Sequence, residues 1–348
     1  MKVSVVLPVF NGTRYLSEAI ESVLAQDFTD WELLIINDFG SDDGSAEIAR
    51  QYEAKDSRIK LIQNDERLGL AESLNLGIRI AQGEYVARLD ADDIALPARF
   101  NKQVDFLDKN QHIGICGSWQ HHFGTETWVH KPPISPELCR AYLLFFCHLC
   151  HSTLMFRKSI FVDNELYFDS NFHAEDFELW SRAVAVTDIA NIPEVLGKYR
   201  HTASNITNTK RQKLGEESSR IIVDAAKRNL SIVLYDNDYA LLNSWERVRK
   251  NKLPQLELLL RRIWQANESK MFYEPNALLE VLYAKWRHDK SGISWQEPVP
   301  IMPLDQIFTE SYKGALIYNI KRFFKNNPTL IGKCKKIHGK LKAKLGGC

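Results

Sequence analysis

The sequence has no long apolar segment. No uninterrupted apolar run in its 348 residues approaches the roughly eighteen that indicate a membrane-spanning helix. The first apolar run, Val3 to Leu7, is too short for the hydrophobic region of a secretory signal. The composition, 45% apolar and 26% charged, is typical of a globular protein with an ample core. We therefore expect a cytoplasmic protein.

Cysteine is scarce, and its pattern favours no structural metal site. The six cysteines are expected to be reduced thiols in a chain without a secretory signal. One cluster, Cys147-His148-Leu149-Cys150-His151, has the spacing of a c-type haem attachment site or of half a zinc site. Haem attachment requires export, and a closed zinc site needs about four ligands, for which no second paired cluster exists. The cluster lies in the apolar run Leu143 to Phe156, which favours buried core.

Acidic residues are missing from residues 311–348. This tail has nine lysines and one arginine, so the net charge of +1 divides into +10 there and −9 in residues 1–310. Five apolar residues fall on one helical face of the tail: Leu316, Ile317, Ile320, Phe323 and Phe324. The pattern predicts contact with an anionic membrane on its cytoplasmic face. The alternative is an apolar face packed on the rest of the protein; a single arginine disfavours nucleic acid.

Short apolar strands alternate with amphipathic helices over the first ninety or so residues. The strands are predicted at Val3–Leu7, Leu33–Ile36, Ile59–Ile62 and Tyr85–Leu89, and helices at Thr13–Ala25, around Ile48 and at Leu70–Ala81. This alternation predicts an α/β fold with a mainly parallel sheet between helical layers. From about Lys213 the strand pattern stops, and helices are predicted at Leu253–Ile263 and Asn276–Trp286.

Three polar or glycine-containing segments follow the predicted strands: Pro8–Gly12, Asn37–Asp43 and Asp90–Asp93. Because ligands bind beyond the carboxyl ends of parallel strands, these segments are expected to share one ligand-binding rim. The first segment lacks the spaced glycines of a dinucleotide-binding loop, which disfavours a dehydrogenase.

The segment Asp90-Ala91-Asp92-Asp93 carries three carboxylates directly after a buried strand. A helix cap would need only one acidic residue. Three crowded carboxylates repel each other, and a divalent cation relieves that repulsion. Mn²⁺ or Mg²⁺ bound by one or two carboxylates and by substrate phosphates fits this pattern. A second acidic pair, Glu175-Asp176, would by itself indicate only an ordinary helix start.

Several segments, in order along the chain, resemble the motifs of family-2 glycosyltransferases. They are Val3–Gly12, Ser22–Gln26, Asn37-Asp38 with Gly40-Ser41, Gly69–Asn75, Gly83–Asp93, Pro97–Phe100, His151–Arg157, Glu175-Asp176 with Trp180, and Tyr199–Ser204. Each motif is modest alone, but a chance match of all of them in this order is very improbable. The resemblance covers roughly the first two hundred residues.

This resemblance implies a glycosyltransferase A fold over residues 1–212, with a nucleotide-binding half (1–110) and an acceptor half (111–212). A helical extension (213–310) and the basic tail (311–348) would follow. The implied donor-binding residues are Pro8, Phe10, Asn11, Asp38 and Arg67, with Asp90 at the ribose. The other implied roles are Asp92 and His201 at the metal, Asp176 as catalytic base beside Glu175, and Trp180 and His151 at the acceptor. Trp180 on a helix is equally compatible with core packing.

The implied reaction is an inverting transfer of a hexose or N-acetylhexosamine from a nucleotide diphosphate sugar, UDP-linked by expectation, to a saccharide acceptor. The setting would be bacterial surface glycan synthesis, where the acceptor can be lipid-linked. Two other functions stay open. A nucleotidyltransferase of sugar activation would need a glycine- and lysine-rich first loop. A non-catalytic carbohydrate-binding protein would leave Asp38, Asp90, Asp92 and Asp176 unexplained.

Overall fold

One mixed sheet organises the protein in the computed structural model, which describes residues 1–202, 210–242 and 247–291. Within these residues the sheet has nine strands. They are β1 (Val3–Val9), β2 (Trp31–Asn37), β3 (Ile59–Gln63), β4 (Tyr85–Arg88), β5 (Ile94–Ala95), β6 (Ile113–Gly124), β7 (Trp128–His130), β8 (Met155–Arg157) and β9 (Asp188–His201).

Helices cover the sheet and continue beyond it. The described α-helices are α1 (Thr13–Leu24), α2 (Ser45–Glu53), α3 (Gly69–Ile80), α4 (Arg99–Lys109), α5 (Pro136–Tyr142), α6 (Lys158–Asp163), α7 (Glu175–Ala183), α8 (Arg211–Leu230), α9 (Asp236–Leu242), α10 (Leu253–Lys270) and α11 (Pro275–Ser291). Short 3₁₀ turns lie at His151–Thr153 and Lys250–Lys252. None of the helices in this part of the chain has both the length and the apolar character that crossing a membrane requires.

The strand order is β3-β2-β1-β4-β8-β6-β9-β5, with β7 paired to β6. The first four strands in that order are mutually parallel, as the alternating pattern predicted. The short β8 joins β4 and β6 and is antiparallel to both, whereas β6 and β9 are parallel. The α/β prediction, with a mixed and mainly parallel sheet, is confirmed.

Strand β1 shows how the sheet separates two apolar layers. All seven of its residues are buried, as expected for a parallel strand covered on both faces. Val5 and Leu7 point into the layer that contains α1, while Val6 points into the layer that contains α3. At Gly77 on α3, an added Cβ would lie 2.3 Å from Val6. This glycine therefore lets the helix approach the strand that ends at the ligand-binding rim.

The helices after residue 210 pack on the acceptor half instead of standing apart from it. Helix α8 contacts α7, and α11 contacts α5. Their buried residues, such as Ile222 and Leu278, belong to the same apolar cluster as Trp180. The predicted helical extension is confirmed over the described residues, although α8 already begins at Arg211. The tail, residues 311–348, lies outside the described residues.

The cysteines that the structure describes are free thiols: Cys116, Cys139, Cys147 and Cys150. Cys147 is half-buried and the other three are buried. This agrees with the expectation that the Cys-His cluster belongs to the core.

Candidate active site

A cleft of about 730 Å³ opens at the carboxyl ends of β1, β2 and β4. Its walls carry most of the residues proposed from the sequence. Those that line it are Pro8, Phe10, Asn11, Asp38, Arg67, Asp90, Asp92 and Glu175. The three polar rim segments therefore meet at one cavity, since parallel strands bring their carboxyl ends to one edge of the sheet.

One end of the cleft is built around Phe10, Arg67 and Asp38. The guanidinium carbon of Arg67 lies 3.4 Å from the centre of the Phe10 ring. Arg67 Nε also lies 3.0 Å from a carboxylate oxygen of Asp38. Phe10 is 40% exposed, which is unusual for a large apolar side chain at the end of a buried strand. The arrangement offers a flat cationic and aromatic surface, which suits a planar ring such as a nucleobase.

Asp38 is buried and accepts several hydrogen bonds. The backbone N–H groups of Leu68 and Gly69 donate to its two oxygens at 2.9 Å each, and the Asn64 amide donates at 3.1 Å. Burial works to raise its pKa, but these hydrogen bonds prevail and hold the pKa below its usual value. Asp38 is therefore an anion that fixes the turn carrying Arg67.

Asn11 joins two of the rim segments. Its backbone adopts a left-handed conformation (φ 51°), which asparagine tolerates better than most residues. Its N–H donates to Ser41 Oγ at 3.1 Å, and its side-chain oxygen accepts from the N–H of Asp42 at 3.1 Å. Asn11 thereby holds the first and second rim segments together.

Three carboxylates lie close together after β4, and two of them, Asp90 and Asp92, line the cleft. Oxygen atoms of Asp90, Asp92 and Asp93 all lie within 4.8 Å of one another. Asp90 is paired with the buried Arg88, and Asp93 accepts a hydrogen bond from the N–H of Arg200 at 2.9 Å. Burial, followed by the charges of Asp90 and Asp92, raises the pKa of Asp93 well above its usual value. Burial, followed by the charge of Asp90, raises the pKa of Asp92 to about 6.

This donor set fits a divalent metal. The raised pKa of Asp92 reflects its burial and the neighbouring charge of Asp90, both of which disfavour the anion. A cation beside it would stabilise that anion. Mg²⁺ and Mn²⁺ characteristically bind one or two carboxylates and complete their coordination with phosphate oxygens and water. The fit therefore supports a metal shared with a phosphorylated ligand.

A second pair of carboxylates begins helix α7. Glu175 lines the cleft, and Asp176 follows it at the next position. The Asp176 carboxylate accepts a hydrogen bond from the N–H of Phe177 at 2.6 Å. Burial, followed by the charge of Asp176, raises the pKa of Glu175 to about 8. Burial also raises the pKa of Asp176. Glu175 lines the cleft, whereas Asp176 is not among its lining residues.

His201, proposed as a metal ligand, lies at the end of β9 and is absent from the acidic group among the described residues. Its Nε2 lies 2.7 Å from Nδ1 of His122. Trp128 stacks on His122 at 3.9 Å between ring centres. In this arrangement the ring of His201 faces other rings instead of the Asp92 carboxylate.

Two residues proposed to bind the acceptor lie elsewhere. The Trp180 side chain is fully buried, with ring neighbours Phe156, Phe161 and Phe168 within 6.4 Å. His151 packs edge-on against Trp180 with ring centres 5.8 Å apart, and burial holds its pKa well below its usual value. Neither residue lines the cleft, so core packing explains Trp180 better than sugar stacking does.

The cleft also contains residues that the sequence did not single out. Arg14, Phe172, His173 and Lys210 line it. Arg200 bridges its floor, donating from Nε to the backbone oxygen of Asp92 at 2.9 Å and pairing with Glu18 at 2.8 Å. Two of them carried a sequence signal: Arg200 belongs to the Tyr199–Ser204 motif, and His173 lies two residues before the Glu175-Asp176 pair. The significance of His173 depends on its contact with Glu217 on α8, which is 44 residues away along the chain.

Comparison with known proteins decides the family. Residues 4–164 match the model "Glycosyl transferase family 2". The chain is similar to an uncharacterized glycosyltransferase of Haemophilus influenzae, with 32% identity over 234 residues, which cover 63% of this chain and 71% of that protein. The chain belongs to glycosyltransferase family 2.

Two further comparisons concern related glycosyltransferases. The enzyme is 27% identical over 242 residues to UDP-Glc:alpha-D-GlcNAc-diphosphoundecaprenol beta-1,3-glucosyltransferase WfgD of Escherichia coli, covering 69% of this chain and 92% of WfgD. Its fold resembles that of S. aureus TarS 1–349, solved in complex with UDP-GlcNAc. The TM-score is 0.57 at 18% identity, over 86% of this chain and 94% of TarS. This likeness confirms the glycosyltransferase A fold.

Proposed function

We propose that this glycosyltransferase moves a hexose or N-acetylhexosamine from a UDP-linked donor to a saccharide hydroxyl, with inversion at the anomeric carbon. The observation that carries the proposal is the single cleft. It joins the Phe10–Arg67–Asp38 surface, the Asp90 and Asp92 carboxylates and the Glu175 carboxylate. In our proposal the nucleoside of the donor lies at the Phe10–Arg67–Asp38 surface. Its diphosphate lies at Asp90 and Asp92, and the sugar to be transferred lies near Glu175.

The nucleoside part of the donor would occupy the end of the cleft formed by Pro8, Phe10 and Asp38. Arg67 offers its planar guanidinium to the base, because the Asp38 carboxylate and the Phe10 ring hold it in place. Asp90, at the end of β4, would bind the ribose. The UDP donors named for WfgD and TarS support a uridine nucleotide here.

We assign the divalent metal, Mn²⁺ or Mg²⁺, to Asp92. His201, whose Nε2 faces His122 in this structure, is a second candidate ligand only through the family resemblance. When bound, the metal would offset the negative charge that grows on the departing diphosphate. Asp93 and Arg200 keep the floor of the site in place through their hydrogen bond.

Asp176 is our candidate for the general base. Burial raises the pKa of both carboxyl groups, and the charge of Asp176 is a further cause of the raised pKa of Glu175. In this proposal the ionised form of Asp176 takes the proton of the acceptor hydroxyl as that oxygen attacks the anomeric carbon and the diphosphate leaves. A single attack from the side opposite the leaving diphosphate inverts the configuration. General base catalysis of this kind contributes about 10²–10⁴-fold.

The acceptor in our proposal is a saccharide of bacterial surface glycan synthesis, lipid-linked at the cytoplasmic face of the membrane. WfgD, named for a diphosphoundecaprenol-linked acceptor, supports this class of acceptor. The basic amphipathic pattern of residues 311–348 would bring the enzyme to that surface. We do not propose a nucleic acid partner.

Donor hydrolysis tests the proposal. UDP-glucose, UDP-galactose, UDP-N-acetylglucosamine and GDP-mannose are each incubated with the enzyme, with Mn²⁺ and with EDTA, and the released nucleotide and sugar are measured. Metal-dependent release of UDP together with free sugar is expected. Formation of a nucleotide sugar from a nucleoside triphosphate and a sugar phosphate would indicate a nucleotidyltransferase instead. Binding of saccharide without any nucleotide turnover would indicate a carbohydrate-binding protein.

A further inference from the structure

Helix α8 reaches back to the loop that precedes the Glu175–Asp176 pair. The carboxylate of Glu217, on α8, is almost fully buried (4% exposed). One of its oxygens accepts hydrogen bonds from the backbone N–H groups of His173 and Ala174, at 2.6 and 2.9 Å. The other oxygen lies 3.1 Å from Nδ1 of the His173 ring. A single buried carboxylate thus fixes both the backbone and the ring of His173.

This contact determines which nitrogen of His173 carries a proton. A carboxylate only accepts hydrogen bonds, so Nδ1 must be the protonated nitrogen. In the neutral ring, Nε2 then has a free lone pair. Among the described residues Nε2 has no hydrogen-bond partner, and the His173 side chain, 30% exposed, lines the cleft with Asp90, Asp92 and Glu175.

We propose that His173 binds a hydroxyl of the sugar being transferred through Nε2, and that Glu217 positions it for this contact. The inference rests on the proposed function. The transferred sugar must lie between the diphosphate at Asp92 and the carboxylates that begin α7. His173 precedes those carboxylates by two and three residues and shares their cleft. A sugar hydroxyl is the matching partner, because it donates the hydrogen that Nε2 accepts.

Two substitutions of His173 distinguish the contributions of its two ring nitrogens. The amide of His173→Asn reaches the position of Nδ1 and keeps a donor for Glu217, but it removes Nε2. The longer His173→Gln places an amide group near the position of Nε2. With calorimetry, the affinity for UDP and for the UDP-sugar that the wild-type enzyme hydrolyses best is measured for each protein. Because the lost interaction is one net hydrogen bond, His173→Asn should weaken UDP-sugar binding about fivefold. UDP binding should stay within about twofold, and His173→Gln should recover part of the loss.

Glu217→Gln tests positioning. Its amide oxygen can still accept from the two backbone N–H groups, but its NH₂ group opposes the protonated Nδ1 and favours the other tautomer. We expect a comparable loss of UDP-sugar affinity, and no additional loss in the double variant with His173→Asn, because coupled residues are not additive. Glu216→Gln, on the same helix but exposed, is the matched control and should be without effect. Melting temperatures verify that each variant is folded.

The outcomes separate this inference from the proposed function. Unchanged UDP-sugar affinity in His173→Asn, or equal losses for UDP and UDP-sugar, would overturn the hydroxyl contact. A full additional loss from Glu217→Gln in the His173→Asn background would overturn the positioning role and leave Glu217 as a structural residue. If the wild-type enzyme bound neither UDP nor any UDP-sugar, the proposed function itself would fail.

Discussion

The Sγ atom of Cys147 lies 3.7 Å from a carboxylate oxygen of Asp176, and its thiol donates a weak hydrogen bond to that oxygen. The contact links the Cys-His cluster to the candidate base. Burial raises the pKa of Asp176, while the hydrogen bonds from Phe177 and Cys147 and the charge of Arg88 lower it. The thiol therefore helps to keep the base ionised.

Cys147→Ala should move the acidic limb of the pH profile of kcat/KM to higher pH. Without the thiol, the anionic form of Asp176 loses one donor, so its pKa rises and less base is available on the acidic side. The loss of activity there should not exceed about fivefold, because a thiol is a weak donor. Cys147→Ser, which keeps a donor, is the matched control. A profile that is identical for the Ala variant and the wild type would remove Cys147 from the mechanism.

Asp176→Asn should separate binding from chemistry. The variant is expected to bind the UDP-sugar within about threefold of wild type, yet to transfer about 10²–10⁴-fold more slowly, because a general base acts mainly in the transition state. Donor affinity by calorimetry and kcat with saturating acceptor are measured on one preparation. Glu178→Gln serves as the control, because Glu178 is a carboxylate of the same helix that forms an ion pair with Arg182. Loss of affinity and turnover together would point to a structural role for Asp176.

Asp92→Asn should lower Mn²⁺-dependent turnover by about 100-fold or more, because an anionic ligand is removed while the side-chain shape is kept. The folded-state pKa of Asp92 is raised to about 6 from its usual 3.8. In the metal-free wild type, Asp92 therefore binds its proton more tightly in the folded than in the unfolded protein. The stability that this proton contributes is present below pH 3.8 and is lost as the pH rises through 6. At pH 8 without metal, the Asn variant should melt at the same or a higher temperature. Full metal-dependent turnover in Asp92→Asn would refute the metal assignment. The control is Asp105→Asn, which removes an exposed carboxylate on α4 and tests for a general effect of charge.

Removal of residues 311–348 should abolish salt-sensitive binding to anionic vesicles. Each basic residue near such a surface contributes about 1 kcal/mol, and this attraction is screened by salt. Sedimentation with phosphatidylglycerol vesicles at low and high salt measures it, with phosphatidylcholine vesicles as the control. Equal sedimentation with and without the tail would exclude this role. Donor hydrolysis by the shortened enzyme should be unchanged, because the cleft residues described above all precede residue 311.

The first half of the fold was predictable because its signals are local. Parallel strands buried on both faces have continuous apolar sequences, as in β1 and β2, and the polar segments that follow them mark the rim. The antiparallel β8 has only three residues, too few for a periodic pattern. Helix α3 was found nearly to its ends because its apolar residues recur with helical spacing.

The candidate site was predictable where a residue belongs to a motif, and not where it depends on a distant partner. Asp38 follows β2 directly, and Asp90 and Asp92 lie in the short segment after β4, so the sheet itself brings them together. Glu217 and His173 are 44 residues apart, and no local pattern joins them. The sequence left two interpretations of Trp180 open, because helical spacing fits a core residue and a sugar-stacking residue equally well. Its complete burial in the packed structure favours the core.

The contact between α7 and α8 restricts how this enzyme can be recombined with its relatives. The family model ends at residue 164, before either helix, so a single crossover there keeps α7 and α8 from one parent, whereas a second crossover between residues 183 and 211 separates them. A chimera that separates the two from their common parent would leave the N–H groups of His173 and Ala174 without their buried acceptor. The two helices should therefore be exchanged together, with one crossover point before residue 173 and the other after residue 230.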